Sequence, residues 1–190
     1  MEWYTPPSAP ENTVEHLSGA LGVSPVIAQL LAQRGITSYE EAKNFFRPDW
    51  SQLHDPYLMQ DMTVAVNRII QAIERHERVM VYGDYDVDGT TSVALVYSFL
   101  KDKIENLTPY VPDRYKEGYG ISIAGIDHAK EEGISLIIAL DCGIKANAQI
   151  DYANDLGVDF VICDHHLPSE NLPKAIAVLD PKRGGLCISV

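Results

Sequence analysis

The stretch YGDYDVDG (residues 82–89) sets three carboxylates, Asp84, Asp86 and Asp88, at alternate positions just before a glycine. Two more acids keep similar company: Asp141 in LIIALDCG, and Asp164 in FVICDHH, where His165 and His166 follow directly. Clustered carboxylates repel one another, and burying them unpaired is costly, so a shared location calls for a cation among them. Carboxylate oxygen and imidazole nitrogen suit Mn²⁺ or Mg²⁺ better than a thiolate-bound metal. Two such ions about 4 Å apart, bridged by one carboxylate, can generate hydroxide and stabilise both oxygens of an in-line phosphoryl displacement.

Other uses for these residues are weaker. Asp84, Asp86, Asp88 and Gly89 match positions 1, 3, 5 and 6 of a calcium-binding helix–loop–helix. Position 12 is then Leu95 instead of Glu, and RVMVY in front reads as a strand instead of a helix, so that reading fails. A single acid after a strand is often a helix cap or a turn former, and a lone His is often a surface or core residue. An adjacent His pair and acids at three strand ends are not explained in that way.

The elements that position these groups follow from periodicity. RVMVY (78–82), LTPYVP (107–112), ISLIIAL (134–140), VDFVIC (158–163) and AIAVLD (175–180) read as strands. Helical patterns cover residues 61–77, 90–102, 121–133 and 145–157, the second expected to start directly after Gly89. This alternation predicts an α/β domain with a mostly parallel sheet and helices on both faces. Its ligands belong beyond the carboxyl ends of the strands. Short helices are expected at about 11–21, 25–34 and 38–46, with Ser24 a candidate cap and Pro25 at the first helical position. They form a small helical N-terminal segment over residues 1–50, expected to cap the domain at 51–190. Its proline-rich first ten residues are expected to be extended.

Two loops beside the acids offer groups for phosphate. Residues 89–92, GTTS, are expected to open a helix whose N–H groups and the hydroxyls of Thr90, Thr91 and Ser92 hold a phosphate. PDRYKEGYGIS (112–122) brings Arg114 and Lys116 beside tyrosines, a phosphate clamp with base stacking on Tyr115 or Tyr119.

Composition sets outer bounds. The chain has 190 residues and a net charge of −12, against wrapping nucleic acid by charge alone. Bound cations reverse the field locally. Cys142, Cys163 and Cys187 are odd in number and lack CxxC spacing, which argues for reduced thiols, a cytoplasmic location and no zinc site. No apolar run approaches the roughly 18 residues that span a membrane, and the N-terminus lacks the pattern of a secretory signal.

The ordered motifs GDYDVDG, LDCGI and CDHH resemble the first three motifs of the DHH phosphoesterase superfamily. Within it, YGDYDVDGTTSVALV, VPDRYKEGYGIS, DHHLP and VLDPKR resemble the RecJ branch of exonucleases, over about residues 40–183. Branches acting on nanoRNA, cyclic dinucleotides or pyrophosphate usually carry His four residues before the second Asp of the first motif, where this chain has Tyr82. The resemblance implies a 5′-to-3′ exonuclease on single-stranded DNA in recombination and repair, releasing 5′-mononucleotides. A helicase or single-strand-binding protein is its expected partner. It also implies that Asp84, Asp86, Asp88, Asp141 and His165 hold two Mn²⁺ or Mg²⁺ ions, with Asp141 as bridge. Asp164 orients the His pair, and His166 faces the scissile phosphate as a hydrogen-bond or proton donor.

The family's fourth motif, its associated domain and its OB-fold lie farther along than this sequence reaches, and GGLCISV (184–190) is unlike the family's continuation. The chain is therefore expected to be an N-terminal fragment with little or no activity by itself, and Asp180 is not taken for the missing ligand. Its rivals are another DHH phosphodiesterase, a metal-binding module without catalysis, and a phosphorylatable receiver domain. The last needs a Lys near its final strand and has no use for a His pair.

Overall fold

The computed structural model describes residues 7–183, so the GGLCISV tail, Cys187 and most of the proline-rich start lie outside the described residues. Two compact units divide between His54 and Asp55, four residues beyond the boundary read from the sequence.

The first unit holds α1 (Glu11–Leu21), α2 (Pro25–Gln33), α3 (Tyr39–Phe46) and a short turn of 3₁₀ helix at Trp50–Gln52. Its core is Leu17, Ala28, Leu31, Ile36 and Ala42. Local signals set the helix starts. Pro25 opens α2 after an extended Ser24, whose hydroxyl makes no cap bond. Ser38 and Glu41 form a reciprocal capping box at α3. No single described helix is long and apolar enough to cross a membrane.

The second unit runs α4 (Met62–Glu74), β1 (Val79–Gly83), α5 (Val87–Leu100), β2 (Leu107–Tyr110), α6 (Ile123–Glu131), β3 (Leu136–Leu140), α7 (Asn147–Asp155), β4 (Asp159–Cys163) and β5 (Ala177–Leu179). The strands form one sheet in the order β2-β1-β3-β4-β5, with every pair parallel. Side chains alternate between faces. Met80, Tyr82, Ile137, Ala139, Phe160 and Ile162 pack with α6 and α7 residues such as Ile126 and Ile150. Val79, Val81, Leu136, Ile138 and Val161 pack with α4 and α5 residues such as Ala72 and Val93. Both faces are covered, which is why these strands read as unbroken apolar runs.

The opposite ends of the sheet are built differently. At the amino edge, Arg68 of α4 donates from Nε to Asp159 (2.7 Å) and from Nη2 to Glu77 (2.7 Å), and Glu77 also accepts from the Ser135 hydroxyl. Arg68 is nearly buried, so its loss strands Glu77. Fully buried pairs cost about 3–5 kcal/mol to break. Asp159 remains more than a third exposed, so Arg68→Ala is expected to cost about 2 kcal/mol, measured by urea unfolding, with metal affinity unchanged. At the carboxyl edge, the direction of chain progression reverses between β1 and β3, the point where open α/β sheets leave a crevice for ligand.

One helix start differs from the sequence reading in a way that bears on the acids. Helix α5 starts at Val87, not after Gly89, because the Asp86 carboxylate accepts the Gly89 N–H (2.9 Å) as a cap and draws the helix upstream. Gly89 is needed for close approach: a Cβ there would stand 2.3 Å from the Asp84 carbonyl oxygen.

Candidate metal centre

Each acid of the centre is set by the backbone that precedes it. Asp84 directly follows β1, Asp86 caps α5, and Asp88 lies in the first turn of that helix. Asp141 and Asp164 each stand one residue past a strand and continue its ladder. The Asp141 N–H donates to the Cys163 carbonyl (2.8 Å) and the Asp164 N–H to the Leu179 carbonyl (2.9 Å). Asp141 then turns through φ 59°, the left-handed region that Asp tolerates better than most residues.

These placements bring Asp141, His165 and His166 together, each offering one ligand atom within 4.8 Å of the others. His165 Nε2 lies 3.0 Å from Asp141 Oδ1. Asp86 and Asp88 remain exposed, yet act on Asp141: burial first, then repulsion from Asp86 and Asp88, push its carboxyl above the ordinary range against the pull of the two imidazoles. Asp84 is fully buried. Its Oδ1 accepts the Tyr85 N–H (2.7 Å), while its Oδ2 has no hydrogen-bond partner among the described residues. An orphaned buried oxygen and acids crowded against one another fit a divalent cation held by oxygen and nitrogen donors.

Asp164 is tied into the loops instead. Its Oδ1 accepts the N–H groups of His165 (2.7 Å) and His166 (3.1 Å) and the Nδ1–H of the His166 ring (2.7 Å). Its Oδ2 accepts the Ile144 N–H (3.0 Å), so one carboxylate joins the DHH turn to the DCGI turn. Burial alone would raise its pKa, but these hydrogen bonds hold it below the ordinary value. The two histidines consequently face different spaces. His165 and Asp141 line a cavity of about 360 Å³ together with Ser92, Met59 and Met62. His166 lines another of about 310 Å³ with Tyr119 and the start of α7.

The phosphate groups expected at residues 89–92 are corrected by the earlier helix start. The Gly89 N–H is taken by Asp86 Oδ1 and the Thr90 N–H by the Asp86 carbonyl. The Thr90 and Thr91 hydroxyls donate back to the carbonyls of Asp86 (2.7 Å) and Val87 (2.6 Å). Those N–H and O–H donors are therefore engaged within the helix, and Ser92 is the member of that set that lines a cavity of the centre.

The loop at 112–122 does reach the site. Tyr119 Oη lies 3.5 Å from His166 Nε2. Its ring meets Tyr85 edge-on at 6.0 Å, and the Arg114 guanidinium sits 5.2 Å from the Tyr85 centroid. Burial, then repulsion from Asp84, Asp86 and Asp141, pushes the Tyr119 phenol up to about 12, so it remains a neutral donor. Lys116 and Tyr115 are exposed on the same loop, without a described side-chain contact to the centre. Two residues not singled out in the sequence organise this region. Tyr85 carries Arg114. Glu117 accepts from the Tyr110 hydroxyl (2.9 Å), the Ser122 hydroxyl (2.6 Å) and the Asp113 N–H (2.8 Å). Tyr82, fully buried, donates to the Gly120 carbonyl (2.8 Å) and accepts the Ser122 N–H (3.1 Å).

Desolvation acts to raise the Glu117 pKa, but the hydrogen bonds from Ser122, Asp113 and Tyr110 outweigh it and the pKa is lowered. Its stabilising effect is full above the ordinary carboxylate pKa and is lost as pH falls through the lower folded value. The loop should thus loosen below about pH 4. Glu117→Ala is expected to bring that looseness to neutral pH, raising amide hydrogen exchange across 115–119 about tenfold while the sheet amides remain protected.

A model of the DHH family, N-terminal domain, matches residues 78–188. The chain is 39% identical over 175 residues to the single-stranded-DNA-specific exonuclease RecJ of Bacillus subtilis, an alignment covering 92% of this chain and 22% of that protein. It is 34% identical over 160 residues to the RecJ of Escherichia coli, covering 83% and 27%. The chain thus spans about a quarter of the length of these curated relatives. Among solved structures, exonuclease RecJ bound to manganese superposes with a TM-score of 0.61 at 28% identity, over 67% of this chain and 32% of that one.

Proposed function

Because the chain belongs to the DHH family, we propose that it hydrolyses phosphodiester bonds of single-stranded DNA from a 5′ end, using Mn²⁺ or Mg²⁺. The observation that carries this reading is the meeting of Asp141, His165 and His166 beyond the carboxyl edge of the sheet, together with an unpartnered buried oxygen on Asp84. Asp84, Asp86, Asp88, Asp141 and His165 are the residues that would hold the ions. Bound ions supply charge stabilisation to the phosphoryl oxygens and a water nucleophile at neutral pH.

The chain's own groups do the rest. Asp164 accepts the proton side of His166 Nδ1, which fixes the ring and leaves Nε2 for the phosphate or its leaving oxygen. Tyr119 donates beside it, and Arg114, held over Tyr85, attracts the strand's phosphates. A helicase or single-strand-binding protein is the partner class that such a substrate requires, and the cytoplasm is the compartment.

Tyr82 speaks against the branches that use His at that position, since its hydroxyl is committed to Gly120 and Ser122 inside the core. The test is release of mononucleotides from a 5′-phosphorylated single strand in Mn²⁺, beside a blunt duplex and a cyclic dinucleotide, by a chain carried on through the family's fourth motif, since residues 1–190 alone are expected to have little or no activity. Release from the single strand alone is expected. Hydrolysis confined to the cyclic dinucleotide would overturn the assignment.

A further inference from the structure

Asp164 lies between two cavities: one shared by Asp141 and His165, the other entered beside His166. None of the five residues proposed to hold ions lines the second. Its walls are Tyr119 and Ile121 on one side and Ile144, Lys145, Ala146 and Gln149 around the start of α7 on the other. At about 310 Å³ it stands at the lower limit of small-molecule sites, with room for one compact planar ligand.

Its chemistry narrows the occupant. Tyr119, Ile121, Ile144 and Ala146 give it apolar surface, which suits the face of a nucleobase. Gln149 offers an amide that both donates and accepts, so by rotating its amide it can pair with different base edges. Lys145, exposed at the rim, puts a cation beside the phosphate that a nucleoside carries. The position matters equally. A nucleoside joined to a phosphate held at the His pair must extend into a space adjoining that pair, and this cavity shares His166 with it.

Resting on the phosphodiesterase reading above, we propose that this cavity is the nucleoside subsite of the centre, with Lys145 and Gln149 setting its affinity for a single nucleotide. Neither residue belongs to the GDYDVDG, LDCGI or CDHH motifs. Because Gln149 can pair in either sense, the subsite is expected to bind all four bases with similar strength.

The test is calorimetric titration of the Mn²⁺-loaded protein with dAMP, dTMP and 2-deoxyribose 5-phosphate. The nucleotides should bind at least tenfold more tightly than the base-free sugar phosphate. Gln149→Ala should weaken dAMP about tenfold, the size of one lost hydrogen bond, and leave the sugar phosphate unchanged. Ala146→Leu, which fills the half-buried wall, should abolish the preference for a base while Mn²⁺ affinity is retained. Equal affinity for dAMP and the sugar phosphate, or dAMP binding indifferent to both substitutions, would overturn the subsite even if Mn²⁺-dependent hydrolysis persists. Loss of the hydrolytic reading itself would appear separately, as absent hydrolysis of every phosphodiester by a chain carried on through the family's fourth motif, despite intact Mn²⁺ and dAMP binding.

Discussion

Asp141→Asn is expected to abolish Mn²⁺ binding and the proposed hydrolysis, yet its metal-free form should melt at a higher temperature than the parent. Both effects come from the same carboxylate. Asp141 lies 3.0 Å from His165 and is pushed by burial and by Asp86 and Asp88 toward its protonated form. The amide keeps the shape, and Asn tolerates the φ of 59° that would strain Ala. What disappears is a negative charge that helps to hold cations and otherwise repels its neighbours. Removing one charged group from such a centre costs about 10²–10³-fold or more in rate. The pH dependence has a matching sign. A carboxyl whose folded pKa is raised favours the folded state most at low pH, and that contribution is lost as pH rises through the folded value. Thermal unfolding with chelator, with Mn²⁺ titration, checks both parts. A variant that melts lower than the parent and still binds Mn²⁺ would remove Asp141 from the centre.

Asp164→Ala should have the opposite effect on stability. Four N–H groups from His165, His166 and Ile144 converge on that carboxylate, and its side chain is almost fully buried. Its loss leaves backbone donors of two turns unsatisfied and is expected to cost about 4 kcal/mol. Hydrolysis should fall with it, because the His166 ring loses the partner that orients it. Asp164→Asn tests whether charge or shape matters, since its amide NH₂ must face an N–H donor and should recover little. Here the pKa is lowered, so the stabilisation is complete above the ordinary carboxylate pKa of about 4 and is lost below it. Urea unfolding at pH 7 and pH 3 resolves this: the gap between the parent and Asp164→Ala should be full at the first and smaller at the second. A difference below about 1 kcal/mol at pH 7 would show that the turns do not depend on the carboxylate.

Much of this was legible because the informative features are local. An apolar run followed at once by Asp marks the ends of β1, β3 and β4, and parallel pairing brings those ends to one edge. The Asp86 carboxylate was legible as an acid but not as a cap; that choice moved the start of α5 and engaged the threonine hydroxyls expected for phosphate. The left-handed backbone of Asp141 carries no sequence mark, since Asp is common in ordinary turns. Glu117, and the anchoring role of Tyr82, were missed for a different reason. Their roles are contacts with residues such as Tyr110 and Ser122, and a bond spanning forty positions, as between Tyr82 and Ser122, leaves no periodicity to read.

The tethering of the 112–122 loop has a kinetic consequence. A loop that must first be ordered makes association slow and concentration-independent at saturation, because closure follows encounter. Here Glu117, Tyr82 and the Asp113 carboxylate, which accepts the Tyr115 and Lys116 N–H groups, fix the backbone before any strand arrives. Little conformational freedom is left to surrender, so capture of a strand should follow a single exponential whose rate rises linearly with DNA concentration. In stopped-flow traces, a plateau in that rate would reveal a closing step that the tethered loop does not require.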